Sequence, residues 1–409
     1  MVRPRVLLAY HFFYPDDVVS ARLFTDLALG LDAAGWDVTA LASDRAWSNP
    51  ETRYPARERY SGIAIERVHR PAWGQARPIE RLANAGWMVT AWSHRIATMP
   101  PFDAIVVGSD PSFASLILLP LRRRWPGVAT AHWCYDVYPE AIAADGASRI
   151  VRALYPLAER AMAAAYRRCD LIVDLGPGMR RRLAKYESPA MRETVSPWAL
   201  AEPESAPRAP DPHVRQQLFG SAKLGLLYSG TLGRAHDFRQ LLALARACRA
   251  RSGDDVAFCF SCRGHRLDEL KAALGAEDSN VRIAPFCPES ELAAQLEAAE
   301  LHLLSLQSAW SGLVVPSKFF GSLAVGRPVV YAGPHDSDIA QWVSALEVGY
   351  VAQPERLSET VDALHGLAAS PDALHVMQRR ARQVYDKHFC KEVGLATWHR
   401  LLSQLVSRR

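Results

Sequence analysis

The chain of 409 residues is long enough for two or three domains of about 100–200 residues each, and its 49% hydrophobic content can fill their cores. The 48 lysines and arginines exceed the 43 aspartates and glutamates by five, and the positive charges are scattered along the chain. This balance disfavours a dedicated nucleic-acid binder.

The seven cysteines are an odd and dilute set, which indicates a reducing compartment. The apolar run after Arg5 is too short for the core of a signal peptide. No stretch approaches the ~18–20 apolar residues that cross a bilayer. We therefore expect a cytoplasmic protein and leave attachment to a membrane surface open.

The first half of the chain alternates apolar strand patterns with helical spacing. Strands are predicted at Arg5–Tyr10, Val38–Leu41, Ile63–Val68, Ala104–Val107, Val128–Ala131 and Leu171–Asp174. Helices are predicted at Val18–Ala34, at Glu80–Ile96 and in a segment that ends near Arg124. This order predicts right-handed crossovers and a doubly wound parallel sheet over residues 1–196.

Prolines are frequent between Ser196 and Pro212, which predicts an exposed linker over residues 197–213. The pattern then restarts and predicts a second domain over residues 214–389. Its strands are predicted at Leu224–Tyr228, Val256–Phe260, Val281–Ile283, Leu301–Leu304 and Val329–Tyr331. Its helices are predicted at Phe238–Arg251, Leu267–Leu274, Glu289–Glu300 and Ser317–Val325.

The expected fold class is therefore α/β, with two doubly wound, Rossmann-like parallel sheets. Two such domains joined by one linker face each other across a cleft, whose walls are the carboxyl ends of both sheets. Open α/β sheets bind ligands at those ends, so we expect the functional site in the cleft.

A glycine-bearing turn, Tyr228–Phe238, lies directly between a predicted strand and a predicted helix. Backbone N–H groups in such a turn can face a phosphate, and Arg234 can act as a charged clamp. An ordinary turn in which Asp237 caps the next helix explains the segment too.

A lysine opens another predicted helix, in the segment Ser311–Val330. Pro316 and Ser317 indicate the helix start, and Lys318 falls in the first turn, where a positive charge opposes the helix dipole. An anionic ligand would explain this lysine, and the alternative is a solvated surface lysine.

Polar residues also follow a strand of the first half, in the segment Thr130–Glu140. His132, Asp136 and Glu140 could supply an acid, a base and hydrogen-bonding groups to substrate hydroxyls. The alternative is that they are loop residues whose polar groups are satisfied within the protein.

Taken together, these segments resemble the GT-B glycosyltransferases of family 4, which use sugar nucleotides. The resemblance covers essentially the whole chain and is most specific in Val315–Val329, where a Pro-Ser-Lys helix start precedes a Gly-Arg-Pro exit. It looks most like the branch that makes bacterial exopolysaccharide, capsule or O-antigen repeat units.

The resemblance implies transfer of a sugar from a UDP- or GDP-linked donor to a lipid-linked saccharide acceptor, with retention of configuration and without a metal or other cofactor. For this chemistry the predicted catalytic residues are His132, Asp136, Glu140, Arg234 and Lys318. The resemblance implies donor contacts from Gly230, Thr231, Gly233, Arg234, His236, Arg263, Phe286, Ser317, Lys318 and Gly321. It also implies that the terminal helix, within residues 390–409, packs on the N-terminal, acceptor-binding domain.

The chain departs from the family pattern at several positions. Many members carry two glutamates separated by seven residues where this chain has Leu313 and Gly321. The second glutamate usually holds the ribose, so the ribose contact must come from elsewhere. A histidine commonly precedes the N-terminal aspartate, and here that position is Tyr135.

The phosphate loop departs as well. Members of the family often carry an arginine and a lysine five residues apart where this chain has Thr231 and His236. Arg234 and Lys318 are therefore the predicted charge partners of the donor diphosphate.

Arginine and tryptophan are interleaved in one stretch of the first half. The residues concerned are Arg67, Arg70, Trp73, Arg77, Arg81, Trp87, Trp92 and Arg95. This mixture suits the interface of an anionic membrane and predicts peripheral attachment to the cytoplasmic face of the inner membrane. The alternative is a solvated, arginine-rich face.

Two other functions remain compatible with the sequence. A sugar-nucleotide epimerase of the same architecture would turn over the nucleotide sugar without an acceptor. A catalytically silent GT-B binding subunit would bind nucleotide weakly or not at all. The absence of both glutamates of the family pattern favours this alternative.

Overall fold

The structure is a computed structural model that describes residues 3–73, 78–146 and 149–409. The chain divides into two compact units, each with its own parallel sheet. Unit 1 consists of residues 1–197, 312–314 and 392–409, and unit 2 consists of residues 198–311 and 315–391.

Among the described residues, unit 1 forms an eight-stranded sheet in the order β3-β4-β2-β1-β5-β6-β7-β8. The strands are β1 Arg5–Ala9, β2 Asp37–Ser43, β3 Arg57–Tyr60, β4 Ile63–Val68, β5 Ala104–Gly108, β6 Ala129–Trp133, β7 Leu171–Asp174 and β8 Met191–Thr194. Neighbouring strands pair in parallel except β3, which pairs antiparallel with β4. The central strands β1, β5, β6 and β7 are buried almost throughout, because helices cover both faces of a doubly wound sheet.

The helices of unit 1 follow its strands. They are α1 Val19–Ala33, α2 Pro78–Thr98, α3 Leu118–Arg124, α4 Glu140–Ala144, α5 Arg149–Tyr166 and α6 Pro177–Leu183. In α1, Leu23, Leu27 and Leu31 recur at helical spacing and are at most 1% exposed, so this apolar stripe is what holds the helix on the sheet.

Unit 2 forms, within its described residues, a six-stranded sheet in the order β11-β10-β9-β12-β13-β14, in which neighbouring strands pair in parallel. The strands are β9 Leu224–Thr231, β10 Val256–Arg263, β11 Val281–Ala284, β12 Leu301–Ser305, β13 Val329–Ala332 and β14 Gly349–Ala352. The helices are α7 Pro212–Phe219, α8 Arg239–Ser252, α9 Leu267–Ala273, α10 Glu289–Glu297, α11 Lys318–Ala324, α12 Asp338–Leu346, α13 Leu357–Ala369 and α14 Pro371–His388. Short 3-10 turns in the two units lie at Ala114–Ile117, Gly253–Asp255, Ser308–Trp310 and Pro354–Arg356.

The predicted fold class is confirmed: each unit is a doubly wound α/β sheet. The sequence pattern missed the edge strand β3, whose residues Arg-Glu-Arg-Tyr carry no apolar alternation. An exposed edge strand needs no buried face, and charged side chains there protect the edge from pairing with other chains. Strand β8, at the opposite edge, was missed for a similar reason, since its residues are only partly buried.

The proline-rich segment after Pro197 is not exposed at its start, contrary to the expectation for residues 197–213. Trp198 is 1% and Ala199 is 4% exposed. The backbone N–H of Ala199 donates to the Tyr385 hydroxyl at 2.9 Å. The segment therefore begins as a packed part of unit 2.

The last helix, α15, spans Lys391–Ser407, and its residues from Glu392 onward belong to unit 1. Trp398 is fully buried, and its ring lies edge-on to Trp133 of β6 with centroids 5.0 Å apart. Leu395 of the same helix packs on Gly30 of α1 so closely that a Cβ on Gly30 would lie 2.8 Å from its methyl carbons.

We predict that Trp398→Ala lowers the free energy of unfolding by about 3–5 kcal/mol, because it leaves a cavity beside Trp133. Val393→Ala on the same helix is the control: Val393 is 37% exposed, and its removal should change stability by no more than about 0.5 kcal/mol. Urea unfolding followed by circular dichroism checks both. Equal effects of the two substitutions would contradict the packing of α15 on β6.

Candidate active site

The crevice of unit 2 lies where its strand order reverses. From the centre of the sheet toward one edge the strands follow in the order β9, β10 and β11. Toward the other edge they follow in the order β12, β13 and β14. The loops that follow β9 and β12 therefore diverge at the carboxyl edge, which is where open α/β sheets bind ligands.

Gln307, in the loop after β12, fixes the loop after β9. Its side-chain amide donates to the carbonyls of Arg234 at 2.7 Å and His236 at 3.1 Å, and its backbone N–H donates to Ala235 O at 2.8 Å. Ser305, the last residue of β12, accepts the backbone N–H of Asp237 at 3.2 Å. The predicted phosphate loop is thus held in a defined shape by the neighbouring strand.

Lys318 is the first residue of α11, as predicted, and its ammonium group reaches back to the end of β9. Nζ donates to Thr231 O at 2.9 Å and lies 5.1 Å from the centre of the Tyr228 ring. Burial lowers the pKa of Lys318 to about 8. A desolvated cation at the crevice is well placed to interact with an anionic ligand.

Gly230 has a physical reason to be glycine. Its φ is +115°, and a Cβ at this position would lie 2.9 Å from Lys318 Cε. Only a residue without a side chain therefore lets the lysine stem cross β9 here. Gly230 and Thr231 lie within β9 rather than in the turn predicted after Tyr228, because the strand continues alongside Cys262 and Arg263 of β10.

His236 is not a charge partner for phosphate. Its Nδ1 donates to the Ser305 carbonyl at 2.6 Å. Burial, followed by the nearby charge of Lys318, lowers its pKa to about 3, so the ring is neutral. The donor contact predicted for its side chain therefore needs correction: His236 fixes the loop, together with the turn bond from its N–H to Gly233 O.

The remaining predicted donor contacts lie along the same edge of unit 2. The Arg263 guanidinium lies 4.2 Å over the ring of Phe286, which is 40% exposed, so the two form a flat platform after β10 and β11. Ser317 precedes α11, and its hydroxyl caps nothing within the described chain. A Cβ on Gly321 would meet no described atom within 4 Å, so space is open at this position.

The crevice of unit 1 lies between β1 and β5, where that sheet reverses its strand order. His11 follows β1 and Asp110 follows β5, with His11 Nδ1 3.2 Å from Asp110 Oδ1. His11 is 1% exposed, and its Nε2 has no hydrogen-bond partner among the described residues. An unpaired buried nitrogen costs roughly 1–3 kcal/mol, which marks this pair as a candidate substrate contact.

Asp136 lies beside this pair in the loop after β6. Ser109 Oγ accepts the backbone N–H groups of Tyr135 and Asp136 at 3.0 Å each, which ties this loop to the end of β5. Burial, and then the charge of Asp110, raises the pKa of Asp136 to about 7. Such a carboxyl can exchange a proton with a substrate hydroxyl near neutral pH.

The structure argues against catalytic roles for the other two predicted residues of this segment. His132 lies inside β6, is 1% exposed and donates from Nδ1 to Val107 O at 2.9 Å; burial lowers its pKa to about 4. Glu140 receives hydrogen bonds from the Tyr186 hydroxyl at 2.9 and 3.1 Å and pairs with Lys185 at 2.5 Å. His132 Nε2, like His11 Nε2, has no hydrogen-bond partner among the described residues, so what separates the two histidines is that His132 lies inside β6. Glu140 is engaged by Tyr186 and Lys185, and neither His132 nor Glu140 is a loop residue.

Sequence reasoning missed three polar residues at the two crevices: His11, Asp110 and Gln307. Each stands two positions beyond the end of a buried strand, β1, β5 or β12. That shared position was a usable signal, because the carboxyl ends of parallel strands meet at one edge.

The predicted arginine–tryptophan surface is only partly exposed. Arg67, Arg70 and Trp92 are buried, contrary to the expectation of a membrane face. Trp73 and Trp87 are 43% and 44% exposed, with ring centroids 6.0 Å apart. Arg81 forms an ion pair with Asp145, and Arg95 forms one with Glu66. Arg77, the last arginine of the predicted surface, lies outside the described residues.

Comparison with known proteins agrees with this architecture. Residues 20–197 match the sequence model of Glycosyltransferase Family 4. The probable glycosyltransferase WbjE of Pseudomonas aeruginosa is 24% identical over 255 residues, which span 62% of this chain and 62% of WbjE, less than two thirds of its length.

Solved structures give the same result for the fold. Sucrose-phosphate synthase from Thermosynechococcus elongatus superposes with a TM-score of 0.73 at 16% identity, over 100% of both chains. WaaG, a glycosyltransferase involved in lipopolysaccharide biosynthesis, superposes with a TM-score of 0.62 at 15% identity, over 95% of this chain and 98% of WaaG.

Two doubly wound units, each with a crevice at its point of strand reversal, define a GT-B protein. Residues 20–197 resemble Glycosyltransferase Family 4, and 62% of the chain resembles the probable glycosyltransferase WbjE. In the described part of the chain, no helix is long and apolar enough to cross a membrane.

We predict that Asp136→Asn stabilises the protein more at pH 8 than at pH 5. The pKa of Asp136 is about 7 in the folded protein against 3.8 for the free side chain, so the folded state binds the extra proton and wild-type stability falls as pH rises through that window. Asparagine cannot ionise and escapes this loss. Thermal melts of the variant and wild type at both pH values measure the difference.

The matched control is Asp17→Asn, an exposed aspartate of the same unit. Its difference from wild type should not grow with pH. A pH-independent effect of Asp136→Asn would show that Asp136 ionises normally in the folded protein.

Proposed function

We propose that the protein is a nucleotide-sugar-dependent glycosyltransferase that moves a sugar from a UDP- or GDP-linked donor to a saccharide acceptor with retention of configuration. The observation that carries the proposal is Lys318, held across Gly230 at the strand-reversal crevice of unit 2. A nucleoside diphosphate leaves as negative charge grows on its bridging oxygen, and a fixed, partly desolvated cation stabilises that charge.

The rest of the donor fits the same edge. Arg234 stands in the loop that Gln307 holds and is the second proposed partner of the diphosphate. The platform of Arg263 and Phe286 offers a flat face on which a nucleobase can stack. The open space at Gly321 means that the ribose is bound by other groups than the glutamate of relatives.

The acceptor is proposed to bind at the crevice of unit 1. Asp136, with its raised pKa, and the His11–Asp110 pair are the groups that would hold the attacking hydroxyl and exchange its proton. We propose that the protein's own side chains carry the chemistry.

Two of the similar proteins support a proposal for the cellular role. WaaG is involved in lipopolysaccharide biosynthesis, and WbjE is a probable glycosyltransferase of a bacterium. We propose a role in bacterial cell-surface polysaccharide synthesis, with a lipid-linked acceptor reached from the cytoplasmic face of the inner membrane.

A binding test addresses the donor. A thermal-shift panel with UDP, GDP, ADP, CMP and their sugar conjugates should show stabilisation by one base class, by about 2.7 kcal/mol at ~100 times the dissociation constant. Lys318→Ala should abolish the shift because it removes the diphosphate charge partner. Lys271→Ala removes an exposed lysine of the same unit and should leave the shift intact.

A thermal shift that persists in Lys318→Ala would show that the diphosphate does not bind at α11. No shift with any nucleotide would contradict the transferase proposal and favour a silent binding subunit. Turnover of the nucleotide sugar without an acceptor would favour an epimerase.

A second test addresses the membrane. Trp73 and Trp87 place two exposed indoles together, and indoles favour the headgroup region of a bilayer. We predict that the double substitution Trp73→Ala and Trp87→Ala weakens co-sedimentation with anionic phosphatidylglycerol vesicles several-fold. Phe286→Ala removes an aromatic of similar exposure from unit 2 and should leave it unchanged. Absence of wild-type binding would exclude the membrane role.

A further inference from the structure

A second loop of unit 2 lies against the phosphate loop and brings another arginine to it. Leu232 N donates to Arg263 O at 2.7 Å, and Arg266 N approaches Leu232 O at 3.4 Å. Gly264 makes this contact possible: its φ is +120°, and a Cβ there would lie 2.8 Å from Leu232 O. Any side chain at position 264 would push the loop after β10 away from the loop after β9.

The guanidinium of Arg266 is held at the phosphate loop without its donors being used up. Its side chain is 20% exposed, and Nη1 lies 3.6 Å from Asp237 Oδ1, too far for a hydrogen bond. Nη1 is shielded from solvent and makes no hydrogen bond with any described residue. A charged donor in that state costs free energy that a ligand oxygen would recover.

The positive charges of Arg266 and Lys318 both act on the side chain of His236. Besides burial, the positive charges of Lys318 and Arg266 both lower the pKa of His236, which places both cations within electrostatic reach of that ring. The carboxylate of Asp237 neutralises these two cations only in part, because it is shared with Arg239. Its Oδ1 accepts hydrogen bonds from the backbone N–H of Arg239 at 3.0 Å and from Arg239 Nη1 at 3.3 Å. Two cations within reach of one neutral imidazole concentrate positive charge, which suits a dianionic group.

We propose that Arg266 binds the diphosphate of the donor together with Lys318; this inference rests on the proposed transferase function. Thr231 is uncharged and burial keeps His236 neutral, so Arg234 is the cation of the loop after β9. The loop after β10 and α11 add the positive charges of Arg266 and Lys318 to it. Planar guanidinium donors can hold two phosphate oxygens in a fixed bidentate geometry, whereas the ammonium group of Lys318 acts as a compact point charge.

The test compares two arginines that share one carboxylate. Arg266→Ala and Arg239→Ala each remove an ion pair with Asp237, but the Arg239 side chain is 60% exposed and also pairs with Glu269 at 3.1 Å. Calorimetry measures the affinity of each variant for UDP and GDP and for the matching nucleosides, uridine and guanosine. Circular dichroism melts establish that each variant is folded, and Arg266→Gln replaces Arg266→Ala if the shorter side chain unfolds the loop.

We expect Arg266→Ala to weaken binding of the preferred nucleoside diphosphate by at least ~10-fold, as the loss of a charge-assisted hydrogen bond implies, without changing nucleoside affinity. Arg239→Ala should stay within about twofold of wild type, since exposed ion pairs contribute little. Arg266→Lys should recover only part of the loss because it keeps the charge but not the fork.

Equal effects of Arg266→Ala and Arg239→Ala, or an equal loss for nucleoside and diphosphate, would overturn the role of Arg266 while leaving the transferase proposal standing. Failure of the wild-type protein to bind any nucleoside diphosphate would overturn both.

Discussion

Each parallel sheet reverses its strand order at one point, and this reversal fixes where chemistry can occur. Parallel strands need crossovers of one hand, so helices cover both faces of the sheet and bury the strands. Polar groups are then accommodated at the carboxyl edge, where the loops diverge. In unit 1 that edge collects His11, Asp110 and Asp136, and in unit 2 it collects the loop after β9 and Lys318. The same constraint explains why buried strands carry almost no usable side chains, and why His132, inside β6, points into the protein.

The unit 2 crevice depends on two glycines that allow close approach. Gly230 lets the Lys318 stem cross β9, and Gly264 lets the loop after β10 lie on Leu232. Together they concentrate positive charge from two elements that are distant in sequence. Thr231 is uncharged and burial keeps His236 neutral, so these two elements add positive charge to a loop whose own cation is Arg234. Local substitutions at the loop are compatible with an intact diphosphate site when other elements supply cations.

The unit 1 crevice uses burial instead of excess charge. Burial, and then the charge of nearby Asp110, raises the pKa of Asp136. The His11 ring is oriented by Asp110 and keeps one nitrogen unpaired among the described residues. Such a set can take up or release a proton near neutral pH, which suits a site that must hold a sugar hydroxyl in either state.

The sequence by itself determined the α/β class, the alternation of elements and the helix start at Ser317 and Lys318, because hydrophobic period and capping are local properties of the chain. It did not determine which polar residues reach a crevice. His132 and His11 look alike as residues near strand ends, yet β6 continues through His132 while β1 stops before His11. Likewise Arg70 looked like a surface cation and is buried, whereas Arg266 drew no notice and lies beside the phosphate loop. Only the tertiary structure decided these cases, since strand pairing and loop contacts join residues tens of positions apart, and burial then sets the charge and exposure of each group.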